Sequence, residues 1–256
     1  MKKRIFASLT ALLALLVVLP SCGGEEISFS YTTLSDIVEK AEQMSSCRLI
    51  GQTSADIFYQ PTSLKKYDVH AEQNTDISYT RDEAGKLSTL QGSYNLKSGN
   101  EEEAYTVYYA DGKAYFDEDG RKYTAPLSAE SFAVQDMFRF FEEDEVQDIK
   151  AYREDGLVRV TFSVPWESAS PKVNELYATL SAVLQSSGMT YSDVQYTDIQ
   201  ATFLVDENTN DLVSYTYDYA AKLKIDGVDV DVKGRSTCRI ESRSVTLTPP
   251  DLTLWQ

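Results

Sequence analysis

Alternation of residue type, broken by Asp-Gly pairs, limits this chain more than any other feature. Tyr105, Val107 and Tyr109 alternate with Thr106 and Tyr108; Asp111-Gly112 follows, and Lys113 to Asp117 runs back. Asp119-Gly120 turns again before Tyr123. Val158, Val160, Phe162 and Val164 alternate with Arg159, Thr161 and Ser163. Ala201, Phe203 and Val205 lead into the polar turn Asp206 to Asp211. Val213, Tyr215, Tyr217, Tyr219, Ala221, Leu223 and Ile225 then read as one face of a long strand, and Asp226-Gly227 turns into Val228, Val230 and Val232. A period of two is that of a strand with one buried face. Asp-Gly accepts the positive φ of tight hairpins. Further strands are expected over 48–59, 66–72, 76–81, 87–96 and 237–247. About ten or eleven strands joined mainly by hairpins make a largely antiparallel sheet.

Three stretches carry helical spacing instead. Over 34–45, Leu34, Ile37, Val38, Ala41 and Met44 form a stripe, with Thr33 and Asp36 as a capping box. Over 129–142, behind Ser128 as cap, the stripe is Val134, Met137, Phe138 and Phe141, flanked by Phe132 and Phe140. Over 171–186, Ser170 caps, Pro171 suits the first turn and Gly188 ends the helix. Its face is Val173, Leu176, Tyr177, Leu180, Val183 and Leu184. A sheet that curls without closing leaves apolar surface for helices to cover. Met137, Phe138, Phe141, Leu176, Leu180 and Leu184 are therefore candidate walls of a ligand cavity. The same stripes equally suit a dry, filled core, and the spacing does not choose between the two.

The first residues point to export. Lys2, Lys3 and Arg4 precede the apolar run Ile5 to Leu19, which is shorter than the roughly 20 residues of a membrane-crossing helix. The ending Leu19-Pro20-Ser21-Cys22 resembles the lipobox of bacterial lipoproteins. That resemblance implies cleavage after residue 21 and acylation of Cys22. Acyl chains bury about 0.8 kcal/mol per CH₂, so two or three of them anchor firmly. The expected organisation is a signal peptide over 1–21, lipidated Cys22 with a short acidic tether over 22–32, and one domain over 33–256.

Composition removes whole classes of function. Lys plus Arg is 24 against 40 Asp plus Glu, a net charge of −16. Loss of Lys2, Lys3 and Arg4 with the signal makes the body more acidic still. No cationic footprint is left for nucleic acid or for anionic lipid. With 42% hydrophobic residues the body is expected to fold. One His and three Cys are too few for a zinc site, so neither metal nor cofactor is expected. After lipidation Cys47 and Cys238 remain. Exported proteins keep disulfides, and a bridge here would close about 190 residues, contributing up to ~5 kcal/mol. Two separate buried thiols are the alternative.

The order of these elements resembles the LolA-like and LppX-like lipoproteins over roughly Thr33 to Leu252. The local marks are Tyr108-Tyr109-Ala110-Asp111-Gly112-Lys113-Ala114-Tyr115, the stretch from Val205 to Val213, and the proline-rich exit Val245 to Leu252. The resemblance implies an α+β fold: a strongly curved, unclosed antiparallel barrel whose concave apolar face is covered by helices and holds lipid or a lipidated protein. It carries no catalytic motif.

Nor does the rest of the chain. No G-x-S-x-G, H-E-x-x-H, Walker A or G-x-G-x-x-G is present. His70, the single imidazole, reads as a strand residue. Asp117, Asp119 and Gly120 form only part of a calcium loop. Asp226, Asp229 and Asp231, Glu101 to Glu103 and Glu142 to Glu145 read as solvated. The expected role is a non-enzymatic, membrane-anchored, extracytoplasmic protein that binds a lipophilic or acyl-chain ligand. The alternative is an envelope scaffold that docks a protein partner and has a filled core.

Overall fold

The computed structural model describes residues 24–62, 65–98, 101–132, 137–138, 140–168, 170–186 and 190–255. The expected signal peptide, Cys22, Val134 and Gly188 lie outside them.

One antiparallel sheet dominates the chain. Its strands are β1 (Glu25–Ile27), β2 (Ser46–Thr62), β3 (Lys65–Arg81), β4 (Leu87–Ser98), β5 (Glu101–Ala110), β6 (Lys113–Glu118), β7 (Arg121–Pro126), β8 (Gln147–Glu154), β9 (Leu157–Val164), β10 (Tyr191–Tyr196), β11 (Ile199–Asp206), β12 (Leu212–Ile225) and β13 (Val228–Ser242). Their order is β1-β8-β9-β11-β12-β13-β2-β3-β4-β5-β6-β7, with β10 paired to β12. The two ends do not meet, so the sheet is unclosed, as expected. The helices are α1 (Tyr31–Glu42) and α2 (Pro171–Ser186).

Local chemistry explains the turns. Asp111-Gly112, Asp119-Gly120, Asp155-Gly156 and Asp226-Gly227 all hold both residues at positive φ, the geometry of a two-residue type I′ hairpin. Asp155-Gly156 is a fourth such signal in the sequence, and it joins β8 to β9. Alternation then sorts the faces. Val158, Val160, Phe162 and Val164 are buried, as are Ile199, Ala201, Phe203 and Val205. In β12 the phase slips once: Leu212 pairs with Val205 after a bulge, so Leu212 and Tyr215 are buried and Val213 is not fully so. Val213 therefore does not share the face of Tyr215 as the simple period predicts, because a bulge inserts one residue into the ladder.

Several expected boundaries are corrected. Residues 66–72 and 76–81 are one strand, and Val228 to Val232 continues to Ser242. Polar residues mid-strand, such as Asn74 and Arg235, face outward and do not interrupt pairing. Glu101 to Glu103 belongs to β5 and pairs with Leu96 to Ser98. Residues 147–154, for which no strand is expected above, form β8 within the sheet. The tether is not free: Glu25–Ile27 pairs with Arg153 to Ala151, and Arg153 bonds Glu25 at 2.8 Å and also bonds Glu207.

The helices fare differently. α1 starts three residues earlier than the period predicts, because Ser30 caps it through Thr33 N at 3.1 Å. Its stripe Leu34, Ile37, Val38 and Ala41 is buried as expected. α2 spans Pro171–Ser186, the expected range. The helix expected over 129–142 is not formed among the described residues. Ala129–Phe132 is a 3₁₀ turn, 137–138 is a turn, and Glu143–Glu145 is a second 3₁₀ turn. Helical covering is correspondingly limited: α1 touches β12, and α2 touches β12, β13 and β2.

The core lies between these helices and the sheet. Phe140 stands edge-on to Phe162 and Phe203 at 5.7 and 5.6 Å, and Phe141 edge-on to Tyr217 at 5.6 Å. Such aromatic pairs add about 0.5–1.5 kcal/mol each beyond area burial. After β13 the chain crosses the outer face, where Trp255 Nε1 donates to the Phe116 carbonyl at 2.9 Å.

Candidate functional site: a cleft beneath the second helix

Five of the six candidate cavity residues fill the core. Phe138 and Phe141 are buried in the aromatic cluster, and Leu176, Leu180 and Leu184 are buried under α2. All five belong to the buried core cluster, and none of them lines the cleft described next. Met137 alone of the six borders a cleft.

That cleft is about 550 Å³. Its floor is a stretch of β2, β3 and β13 where the inward positions are Gln73 and the small residues Gly51, Thr53, Thr75 and Ser236. Small residues there leave room that Leu49, Ile57 and Ile77 occupy elsewhere on the same face. The first turns of α2 form one wall through Pro171, Lys172, Glu175 and Thr179. The opposite wall is Ile77, Tyr94, Phe132 and Met137. The Tyr215 hydroxyl donates to the Met137 carbonyl and so pins that wall to β12.

Lys172 is the charged group buried at this site. Its side chain is 6% exposed, and Nζ lies 3.1 Å from a Glu175 carboxylate that is 54% exposed. Nζ also lies 5.9 Å from the Tyr217 ring centroid. Cys238 closes the floor. Burial pushes its thiol up to about 11, while the Tyr215 hydroxyl and the nearby Lys172 charge oppose that rise. Lys172, Glu175 and Thr179 recur at helical spacing beside the apolar stripe. The sequence therefore displayed this polar stripe, although only the sheet shows what it faces.

The apolar wall continues outward from Tyr94. Tyr94 and Tyr105 stack at 4.7 Å, Tyr105 meets Phe116 at 6.4 Å, and Phe116 stacks on Tyr123 at 5.1 Å. Tyr105 and Tyr123 are 37% and 36% exposed. Neither α1 nor α2 reaches this row.

On the other face, an open groove of about 970 Å³ crosses from β12 to β6. Gln52, Asn74, Asp76, Asn95, Thr216 and Arg239 line it. Asp76 is engaged by Arg48 at 2.6 Å. Ile50, Ala104 and Tyr105 add apolar surface to it, and among the described residues no buried charge lines it.

Cys47 and Cys238 are free, buried thiols, which corrects the expected bridge. Cys238 stands opposite Gly51, four residues along β2 from Cys47. That offset is roughly 13 Å, beyond the ~7 Å limit between Cα atoms of a disulfide. His70 lies on β3 and is exposed, with Nδ1 2.7 Å from Asp56 and Nε2 3.2 Å from Glu72. Asp226, Asp229 and Asp231 are exposed on the β12–β13 hairpin. Among the described residues no group of His, Cys, Asp and Glu is arranged to hold a metal ion.

No family model matches the chain, and no curated protein is similar to it. Among solved structures, a porin-like protein from Bacteroides uniformis ATCC 8492 is similar over 74% of this chain and 96% of its own, at 14% identity and a TM-score of 0.25.

Proposed function

We propose that this protein is a membrane-anchored extracytoplasmic lipoprotein whose sheet and second helix hold a lipophilic ligand between them. The observation that carries the reading is the cleft beneath α2, whose size lies within the range of small-molecule sites. The lipobox at Cys22 supports the anchor. So does the position of β1, because only Gly23 and Gly24 separate Cys22 from Glu25, three Cα steps with a reach of about 10 Å. With Cys22 acylated, the β1 edge of the sheet is held close to the bilayer. The curved, unclosed half-barrel of the LolA-like and LppX-like families remains part of this reading, with helices over only a part of the sheet. The reading assigns no catalytic step.

Residues 24–255 carry the sheet and its core, so the chain from Gly23 onward is the unit to test. It is expected to take up a fluorescent fatty acid and to carry acyl-chain compounds in native mass spectrometry. Absence of both overturns the binding reading. Cys22→Ala is expected to lose palmitate labelling and to leave the membrane fraction; retention of either overturns the anchor.

A second reading, a scaffold that docks an envelope protein, draws on the aromatic row Tyr94, Tyr105, Phe116 and Tyr123. It gains if the body binds no acyl compound.

A further inference from the structure

The cleft beneath α2 has two unlike sides, and they limit what it can hold. The α2 side presents Lys172, Glu175 and Thr179, the facing side presents Ile77, Tyr94, Phe132 and Met137, and Thr53, Gln73, Thr75 and Ser236 lie on the floor between them. A wholly apolar ligand would cut the Lys172–Glu175 pair off from water without replacing the lost hydrogen bonds. A wholly polar one would leave the facing wall wet. An occupant with an apolar body and one charged end meets both sides.

The sign of that charge follows from the pair itself. The Lys172 ammonium is already desolvated in the folded chain, at 6% exposure, and Glu175 at 54% exposure is not. The two partners are therefore unequal. Removing an opposite charge from a buried cation without replacement is costly, whereas returning a mostly exposed carboxylate to water costs little. An incoming carboxylate takes over the charge-assisted bonds to Nζ and releases Glu175 to solvent. An incoming cation would have to compete with Lys172 for Glu175 beside a buried positive charge.

We infer that the cleft takes a single-chain amphiphile, with its carboxylate head on Lys172 in place of Glu175 and its apolar body along Ile77, Tyr94, Phe132 and Met137. This rests on the binding reading above and names the class of ligand.

The test uses the chain from Gly23 onward and three probes: decanoate, decanol and acetate, each measured by displacement of a fluorescent fatty acid. Decanoate is expected to displace it at a concentration about tenfold or more below that of decanol, the difference expected of a hydrogen bond to a charged group. Acetate is expected to be ineffective over the range in which decanoate acts. Lys172→Met keeps an unbranched chain one atom shorter, without the ammonium, and is expected to abolish the preference for acid over alcohol. Glu175→Gln removes the competing carboxylate at an exposed position and is expected to tighten decanoate binding. It probes the same contact if Lys172→Met does not fold by circular dichroism.

Equal affinity for decanoate and decanol overturns the head assignment and leaves the binding reading standing. So does an unchanged preference in folded Lys172→Met, or weaker decanoate binding in Glu175→Gln. Displacement by acetate as readily as by decanoate overturns the amphiphile. If neither decanoate nor decanol competes, and the fluorescent fatty acid itself does not bind, the binding reading falls together with the head assignment.

Discussion

Single residues show how closely this sheet is fitted. Gly234 faces Tyr219 across the β12–β13 ladder, and a Cβ at that position would run into the tyrosine ring. Gly234→Ala is expected to lower stability by about 1–3 kcal/mol, the usual cost of overpacking, read as a lower urea midpoint at unchanged slope. His70 gives the molecule a pH dependence. Its hydrogen bond to Asp56, then that to Glu72, raise its pKa. Its stabilising contribution is therefore complete below the unfolded value of about 6.5 and is lost as pH rises through the folded value. Glu72 has the opposite sign: hydrogen bonds from Asn74, Gln52 and His70 lower its pKa to about 2. Its contribution is present above the unfolded value of about 4.3 and is lost as pH falls towards the folded one. Both contributions are complete only between those unfolded values. His70→Gln is expected to flatten the decline in urea midpoint between about pH 6 and pH 8; a parallel decline in variant and parent would show that the pair contributes nothing. Burial raises the Cys47 thiol to about 12 and the Cys238 thiol to about 11. Both are expected to resist iodoacetamide in the native protein and to react fully in denaturant without reductant. A disulfide would leave both unreactive there.

At the scale of elements, α2 and the segment over 129–142 make an instructive contrast. Both carry an apolar period near 3.6, yet among the described residues, which in the second segment are 129–132, 137–138 and 140–142, only α2 is an α-helix. The difference lies in the aromatic residues. In a helix, Phe140 would sit about 200° from Phe138 and about 100° from Phe141. The core uses all three on one side: Phe138 beside Tyr215, Phe140 against Phe162 and Phe203, and Phe141 against Tyr217. The described residues 137–138 are a turn and 140–142 have no helical backbone, and Tyr31 secures the latter by donating to the Phe141 carbonyl at 2.8 Å. Burial of that third ring outweighs the hydrogen bonds of a short helix, whose own stability is marginal. Phe141→Ala is expected to cost about 3–5 kcal/mol, measured by denaturant unfolding, with a matching loss of aromatic near-ultraviolet dichroism. A cost below ~1 kcal/mol would mean that this segment is not part of the core.

For the whole molecule, the decisive fact is that the sheet has a covered part and an uncovered part. α1 and α2 lie against β2, β12 and β13, while β4 to β7 extend beyond them and expose the Tyr105 and Tyr123 rings. The cleft lies at this boundary, where small residues on β2, β3 and β13 stop filling the space below α2. Its position depends on the strand order, which brings β2 next to β13 although nearly two hundred residues of chain separate their paired segments. None of the described helices is long and apolar enough to cross a membrane. The anchor proposed at Cys22 lies next to β1, at the end of the sheet opposite β7.

The sequence by itself determined the hairpins, the sheet's antiparallel sense, the α2 helix and the inward set of most strands. These follow from local rules: two-residue periodicity, Asp-Gly at positive φ, and a Ser-Pro start ahead of an apolar helical stripe. It also displayed Lys172, Glu175 and Thr179 on one side of that stripe. Tertiary structure alone decided that the described residues of 129–142 form no α-helix, that β1 joins the sheet, that Cys47 and Cys238 stand too far apart to bond, and that Leu180 fills a core while Met137 borders a cleft. Each of these depends on which distant strand lies opposite, a property of register and packing that local periodicity does not encode.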